Sequence, residues 1–518
     1  MKGMNPRIRI ALAIVIVVIL GGKYVFPHRG AGVETPAAAV EGKPAAPRTW
    51  QLGSLTLKPC ELAQPHSGLS SAAWCAPFDV PENRADPDGR KISLHLAVIR
   101  SSAQVAASDM VVFLAGGPGQ AATEAWPAIV PAMQPLLAHR HIVLLDQRGT
   151  GQSHPLSCKG DVDADAGDDT AGFDMDTLRK ETRACLASLA NKADPRFYTT
   201  TDAVQDLEDV RKALGSPKYD LIGVSYGTRV AQQYAMRHAG AVRSIVLDGV
   251  APNSLVLGED FAVNLDEALK AQFARCAADA PCKARFDDPY QTLYQLRDAL
   301  RANPHKVSFR DPQTYASVQR VLSDHALATV VRMFAYTPET AALLPLSIDA
   351  AAHGDVGPLL GQAKLLTGDL GDTMDGGMQY SVICSEDADL LTPRPQDADT
   401  ILGDKMIEAF RVACSIWPHG DRPKDFHEPL TGATPTLLMS GEYDPVTPPR
   451  YGAEVAKHLS NARHFVLKGQ GHNVIARGCM PLLLEKFIDK TDPGALDASC
   501  LDRLGPTPVF IGFNGASP

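Results

Sequence analysis

The chain has 518 residues, 45% of them hydrophobic and 21% charged, with a net charge of −9. This length exceeds the roughly 250–300 residues that one hydrophobic core usually fills, and the composition is unlike that of a disordered or collagen-like chain. The acidic balance and the lack of a long Lys/Arg block argue against nucleic acid as a partner, because phosphate binding needs clustered cations.

In chain order, Lys2, Arg7 and Arg9 precede the apolar run Ile10 to Leu20, which Gly21-Gly22-Lys23 follows. A positive start and a short apolar stretch have the form of a secretory leader. The run falls short of the ~18 apolar residues that a membrane span wants, and no clean small-x-small cleavage site follows it directly. Residues 1–28 therefore read as a cleaved signal peptide or a retained membrane anchor. The protein is expected to be exported, to the periplasm or outside the cell, free or held at the inner membrane. Residues 29–48 are rich in Ala, Pro and Gly and read as a tether.

Export gives the ten cysteines a role, since an even count in an oxidising compartment suggests disulfides. The simplest pattern is sequential: Cys60 with Cys75, Cys158 with Cys185, Cys276 with Cys282, Cys384 with Cys414 and Cys479 with Cys500. Spacing alone leaves the connectivity open. Neither C-x-x-C nor H-x-x-x-H occurs, so a zinc site is not expected.

From about Trp50 strands and helices are expected to alternate. Ile92 to Ile99 reads as a strand. Met110 to Leu114, His141 to Leu145, Lys218 to Val224 and Arg243 to Leu247 are mostly continuous apolar runs, as strands buried on both faces should be. Asp161-Val162-Asp163-Ala164-Asp165 resembles the start of a calcium loop, but the later positions do not fit, and an exposed acidic loop is expected. Thr200 to Leu214 is an amphipathic helix with Val204, Leu207, Val210 and Leu214 on one face, and Thr228 to His238 is a second helix. Residues 254–375 carry helical periodicity and almost no strand signal; Phe261 to Ala278, Pro289 to Ala302 and Ser323 to Phe334 are examples. Strands return at Pro435 to Met439 and His464 to Leu467, with a helix from about Tyr451 to Leu459 between them. The chain thus divides into an α/β core in two parts, 49–253 and 431–518, around a helical cap and return segment, 254–430. The expected sheet is mostly parallel and doubly wound.

Gly223-Val224-Ser225-Tyr226-Gly227 is a G-x-S-x-G between a buried strand and a helix. That context makes Ser225 a candidate nucleophile on a tight turn, the alternative being an ordinary β-to-α turn. A serine needs a base and an orienting acid, in the chain order Ser, Asp, His for this motif. Asp444 lies in the loop after the strand at 435–439, with Glu442 as its rival, and His472 closes the last strand behind Gly469-Gln470-Gly471. All three return to the same sheet edge. For the oxyanion, the amide of Tyr226 is one expected donor. The other comes from Gly116-Gly117-Pro118-Gly119; Pro118 has no N–H, so Gly117 or Gly116 is expected. Asp146 and Arg148 are expected to brace nearby loops by ion pairing.

The motifs Ala-Gly-Gly-Pro-Gly-Gln (115–120), Leu-Asp-Gln-Arg-Gly-Thr-Gly (145–151), Gly-Val-Ser-Tyr-Gly-Thr (223–228), Ser-Gly-Glu-Tyr-Asp-Pro-Val-Thr-Pro (440–448) and Gly-Gln-Gly-His (469–472) occur in this order. Together they resemble the α/β-hydrolase peptidases of the proline iminopeptidase and tripeptidyl aminopeptidase family, most of all its secreted tripeptidyl branch. One departure is Ala115, where proline iminopeptidases often carry His. The resemblance implies an α/β-hydrolase fold with a helical cap inserted between strands, and release of residues or short peptides from substrate N-termini. An aminopeptidase must meet a cationic amine. Cys384-Ser385-Glu386-Asp387 resembles an acidic segment of the family, which makes Glu386 or Asp387 the expected amine-binding group, the alternative being a solvated acidic turn. The expected substrate is a peptide or small ester, with no metal and no organic cofactor. A carboxylesterase would use the same machinery. A non-catalytic binding domain would be expected to lose one of the three residues, and all three are present. The sequence does not fix an oligomeric state.

Overall fold

The computed structural model describes residues 48–158, 174–312, 314–512 and 514–516. The N-terminal segment, nearly all of the tether and the acidic stretch at Asp161 to Asp165 lie outside the described residues. No helix among the described residues is long and apolar enough to cross a membrane.

Twelve strands are described: β1 (Trp50–Leu52), β2 (Leu55–Ala63), β3 (Ser70–Pro81), β4 (Lys91–Ile99), β5 (Met110–Leu114), β6 (Ile142–Leu145), β7 (Tyr219–Val224), β8 (Val242–Asp248), β9 (His305–Arg310), β10 (Ser317–Leu322), β11 (Thr436–Gly441) and β12 (Ala462–Leu467). Ten of them form one sheet in the order β1-β2-β3-β4-β6-β5-β7-β8-β11-β12. From β6 to β12 every pairing is parallel. The β1-to-β4 edge is antiparallel and joins β6 in the same sense. This edge corrects the expected early alternation of strands and helices. Turn-forming stretches such as Gly53-Ser54 and Asp86-Pro87-Asp88-Gly89 fold the chain straight back on itself, leaving no room for a crossover helix.

The central strands are mostly apolar because both faces are covered. Val112, Val143, Ile245 and Leu438 point into one cluster, with Val204, Leu207 and Val210 of the helix Thr200–Leu214 and Val230 and Tyr234 of the helix Tyr226–Arg237. Their neighbours Val111, Phe113, Leu144, Val246 and Leu437 point into a second cluster, with Trp126 of Ala122–Met133 and Leu484 and Phe487 of Met480–Lys490. A third cluster gathers Leu265, Phe273, Leu293, Val330, Val331 and Leu360 from the helices between β8 and β11, a core separate from the sheet's. The strands β9 and β10 pair antiparallel within this region and pack Phe309 and Leu322 into its core, which corrects the nearly strand-free reading of 254–375. Their outward positions are polar and their apolar residues few, so the alternation there was weak.

All five sequential disulfides are formed and no cysteine is free. The bridge Cys384–Cys414 ties the helices Gly376–Glu386 and Lys405–Cys414 across a separation of 30 residues. Replacing both cysteines with serine (Cys384→Ser, Cys414→Ser) is expected to cost about 3 kcal/mol of stability through the freer unfolded chain. A lowered midpoint in chemical denaturation checks this.

Candidate active site

Strand β7 runs directly into Ser225, whose backbone takes the left-handed values φ 56° and ψ −124°, and the next helix starts at Tyr226. The two glycines of the motif explain how the chain turns so sharply. A Cβ on Gly223 would stand 2.3 Å from the Gly227 carbonyl oxygen, and one on Gly227 would stand 2.2 Å from that of Leu114. A left-handed serine is costly. Its neighbours hold it there: the Ser225 N–H donates to the Asp248 carbonyl (2.8 Å), and the Ser225 carbonyl accepts from the Thr228 N–H (2.9 Å) and hydroxyl (2.6 Å).

Asp444 and His472 meet in the loops after β11 and β12, with Asp444 Oδ2 2.8 Å from His472 Nδ1. Asp444 Oδ1 accepts from the Val446 and Thr447 amides at 2.9 and 2.8 Å. The Thr447 hydroxyl donates to Oδ2 (3.0 Å) and lies 3.1 Å from His472 Nδ1. These bonds set the carboxylate so that the imidazole Nδ1–H faces it, which leaves Nε2 as the basic nitrogen. The His472 ring packs edge-on against Tyr336, whose carbonyl accepts the His472 N–H at 2.7 Å. Behind the ring is Gly249, where a Cβ would come within 2.9 Å of His472 Cε1. Burial pushes the imidazole down, but the charge and hydrogen bond of Asp444, helped by Asp248, outweigh it and raise its pKa above the usual 6.5. Asp248 is itself fully buried. It accepts from the Val474 and Ile475 amides, and burial lifts its carboxyl to about 6. Glu442, the rival acid, instead accepts from the Gly469 amide at 2.8 Å.

Ser225 and His472 line one cavity of ≈ 560 Å³, together with Gly116, Gly117, Arg332, Gln379 and Ile383 among others. Gly116 approaches closely enough that a Cβ there would be 3.2 Å from Ser225 Cβ. Gly117 takes φ 110°, a conformation that suits glycine. The Tyr226 amide is in the first turn of its helix, where N–H groups have no intrahelical acceptor. The loop glycines and the helix start thus flank the serine.

Glu386 and Asp387 are elsewhere, which corrects their expected role in binding a substrate amine and also the alternative of a solvated turn. Both are completely buried, and neither lines the cavity. Ile383 lines it, but one turn later the helix reaches the start of Thr200–Leu214. There Glu386 Oε1 accepts the Thr200 N–H (2.6 Å), and Oε2 lies 3.0 Å from the Thr200 hydroxyl. That hydroxyl is 2.6 Å from the Tyr226 phenol, so Glu386 supports the serine turn from behind. Burial pushes its carboxyl up to about 8 in spite of Arg229 nearby. Asp387 is paired with Arg229 at 2.9 Å. Arg148 braces loops as expected, through two bonds to Asp206 (2.6 and 2.7 Å) and the Phe197 carbonyl. Asp146 does so by hydrogen bonds to Thr123 and the Gln152 amide rather than by an ion pair.

Sequence reasoning did not find Thr447, Thr200 or Arg332. Thr447 had a signal: a threonine three residues after Asp444 in a Pro-containing turn is a common way to satisfy an aspartate. The other two reach the site only through tertiary packing. Among the described residues, His139, Glu485 and Asp489 have ligand atoms close enough to share a metal ion, but they do not line the cavity, and Asp489 already pairs with Arg140.

A family model described as "alpha/beta hydrolase fold" matches residues 109–478. Among curated proteins, the chain is similar to "Serine protease Hip1" of Mycobacterium tuberculosis, 25% identical over 90% of this chain and 92% of that one. It is also similar to "Carboxylesterase B" of the same organism, 26% identical over 81% and 85%. A third relative is "Tripeptidyl aminopeptidase" of Streptomyces coelicolor, 24% identical over 85% of each.

The burial of Glu386 sets an expectation. Glu386→Ala leaves the Thr200 N–H and hydroxyl without their acceptor, at a cost of about 1–3 kcal/mol. Glu386→Gln keeps an acceptor without a charge and is expected to cost less. Thermal or chemical denaturation of the two variants checks the order.

Proposed function

The chain belongs to the alpha/beta hydrolase fold family, and from that premise we propose that it is an exported serine hydrolase that releases residues or short peptides from the N-termini of its substrates. The carrying observation is the 2.8 Å contact of Asp444 with His472, with His472 and Ser225 opening on one cavity. Ser225 Oγ attacks the substrate carbonyl as His472 Nε2 takes its proton, and Asp444 stabilises the imidazolium that forms. The amides of Tyr226 and Gly117 receive the negative charge on the carbonyl oxygen. His472 then returns the proton to the leaving amine, and water hydrolyses the acyl-enzyme. Residues 254–430 act as the cap, contributing Phe261, Tyr336 and Ile383 to the cavity wall.

The order of the five motifs and the names of two relatives support a peptidase of the tripeptidyl branch. The five disulfides and the charged, apolar N-terminus support export. A second reading, carboxylesterase, is favoured by a specific observation. Among the described residues lining the cavity there is no carboxylate to meet an ammonium group.

The first test is Ser225→Ala, expected to lower turnover by several orders of magnitude while circular dichroism and melting stay as in the parent. A panel of tripeptidyl anilides with free and acetylated N-termini, set beside p-nitrophenyl esters, separates the two readings. Preference for the free-amine anilides supports the aminopeptidase, and indifference to acetylation with fast ester turnover supports the esterase.

The pH profile is a separate expectation. The base must be neutral, and the His472 pKa is raised above 6.5, so kcat/KM is expected to fall as pH drops, with a midpoint above pH 6.5. A midpoint at or below 6.5 would count against His472 as the base in this setting.

A further inference from the structure

Arg332 lies in the last turn of the helix Asp324–Phe334 and lines the cavity that holds Ser225 and His472. It also lines a second cavity of ≈ 560 Å³, whose other charged lining residues are Arg301 and Lys405 and the acids Asp324 and Asp404. Arg332 and Met333 line both cavities, so the two adjoin at these residues.

The surroundings of this arginine differ from those of the other arginines near the site. Arg148, Arg229 and, in the second cavity, Arg301 each face a carboxylate, Asp206, Asp387 and Asp324. Arg332 has no acid within ion-pair distance among the described residues. It stacks over the Phe261 ring at 4.7 Å and directs Nη1 to the Met406 sulfur at 3.4 Å. An aromatic face and a thioether hold the guanidinium in place without neutralising it, and leave most of its five N–H donors unspent. In the catalytic cavity, Arg332 and His472 are the only basic side chains among the described lining residues, and no carboxylate is among them. His472 must be neutral to act as base, so Arg332 is the standing charge there.

We propose that Arg332 binds a carboxylate of the substrate, and that the second cavity receives the part of the substrate that carries it. The planar guanidinium fork matches a carboxylate with two parallel hydrogen bonds. A partly buried cation that no protein acid neutralises gains more from such a partner than an exposed one. The inference rests on the serine-hydrolase reading above and adds its substrate class: acidic acyl segments or peptides with a free C-terminus. The two sources share one chemistry. In the first, the carboxylate is an acidic side chain of the segment transferred to Ser225; in the second, it is the terminus of the leaving peptide.

The test uses the full-length protein and two matched substrate pairs: Ala-Ala-Glu- against Ala-Ala-Gln-p-nitroanilide, and a neutral pentapeptide with a free against an amidated C-terminus. The readout is the acid-to-neutral ratio of kcat/KM in the parent, Arg332→Gln and Arg332→Lys. The parent is expected to favour the acidic member of one pair by roughly tenfold, mainly through KM. Arg332→Gln should bring that ratio towards one, and Arg332→Lys should keep part of it. The pair that carries the preference identifies the source. A parent ratio of one or less in both pairs, or a ratio unchanged in Arg332→Gln, overturns the assignment. Ser225-dependent turnover without an acid preference sinks Arg332 alone and leaves the hydrolase reading standing. If no substrate, p-nitrophenyl butyrate included, shows Ser225-dependent turnover, the hydrolase reading fails. The affinities of Ser225→Ala protein for the free-acid and amidated pentapeptides and for Ala-Ala-Glu-amide and Ala-Ala-Gln-amide, by calorimetry, then decide Arg332. Tighter binding of the acidic member in either pair supports the assignment, and equal affinities in both overturn it.

Discussion

Gly227 lies so near the end of β5 that a Cβ on it would stand 2.2 Å from the Leu114 carbonyl oxygen, and Gly223 meets Gly227 in the same way. Three stretches of backbone share a space too narrow for a methyl group. From this approach follow the left-handed serine, the immediate start of its helix and the nearness of the Gly116–Gly117 loop. The same device recurs between the loops that carry Asp444 and His472: a Cβ on Gly441 would stand 1.9 Å from the Gly471 carbonyl oxygen. Close backbone packing, more than any side-chain bond, sets the distances within the candidate site.

Charge is sorted around this frame. A buried ion without a partner costs several kcal/mol, so buried charges occur in pairs or with amide donors. Arg148 with Asp206 and Arg229 with Asp387 are such arrangements, both out of the cavity. They stiffen the elements that carry the site. The described cavity wall keeps one histidine and one arginine. The acidic segment Glu386-Asp387 is therefore a poor guide to substrate charge, because its acids are engaged by Thr200 and Arg229 of the scaffold.

Much of this was legible in the sequence. The mostly continuous apolar runs located β5, β7, β8 and β11 to within two residues, because strands covered on both faces carry few polar positions to blur them. Ser225, Asp444 and His472 could be picked out because each follows a strand within a motif that the turn geometry demands. The β9–β10 hairpin was missed because its outer face is solvated and its apolar set is small. Glu386 and Asp387 were misplaced because local sequence cannot tell a carboxylate facing a cavity from one facing the start of a neighbouring helix. Arg332 carries no motif at all. Its place between two cavities comes from the packing of the helix Asp324–Phe334 against Phe261 and Met406.

The three proposed catalytic residues are spread unevenly along the chain. Ser225 precedes the helical region, while Asp444 and His472 come after it, in the strands that finish the sheet. A chain still being made therefore carries the serine turn long before it carries a base to activate it. Until β11 and β12 add to the edge beside β8, the hydroxyl has no proton acceptor and the cavity has no histidine wall. On the proposed reading, a chain cut short before β11 would keep the serine turn but have neither the acid nor the base that the turn serves.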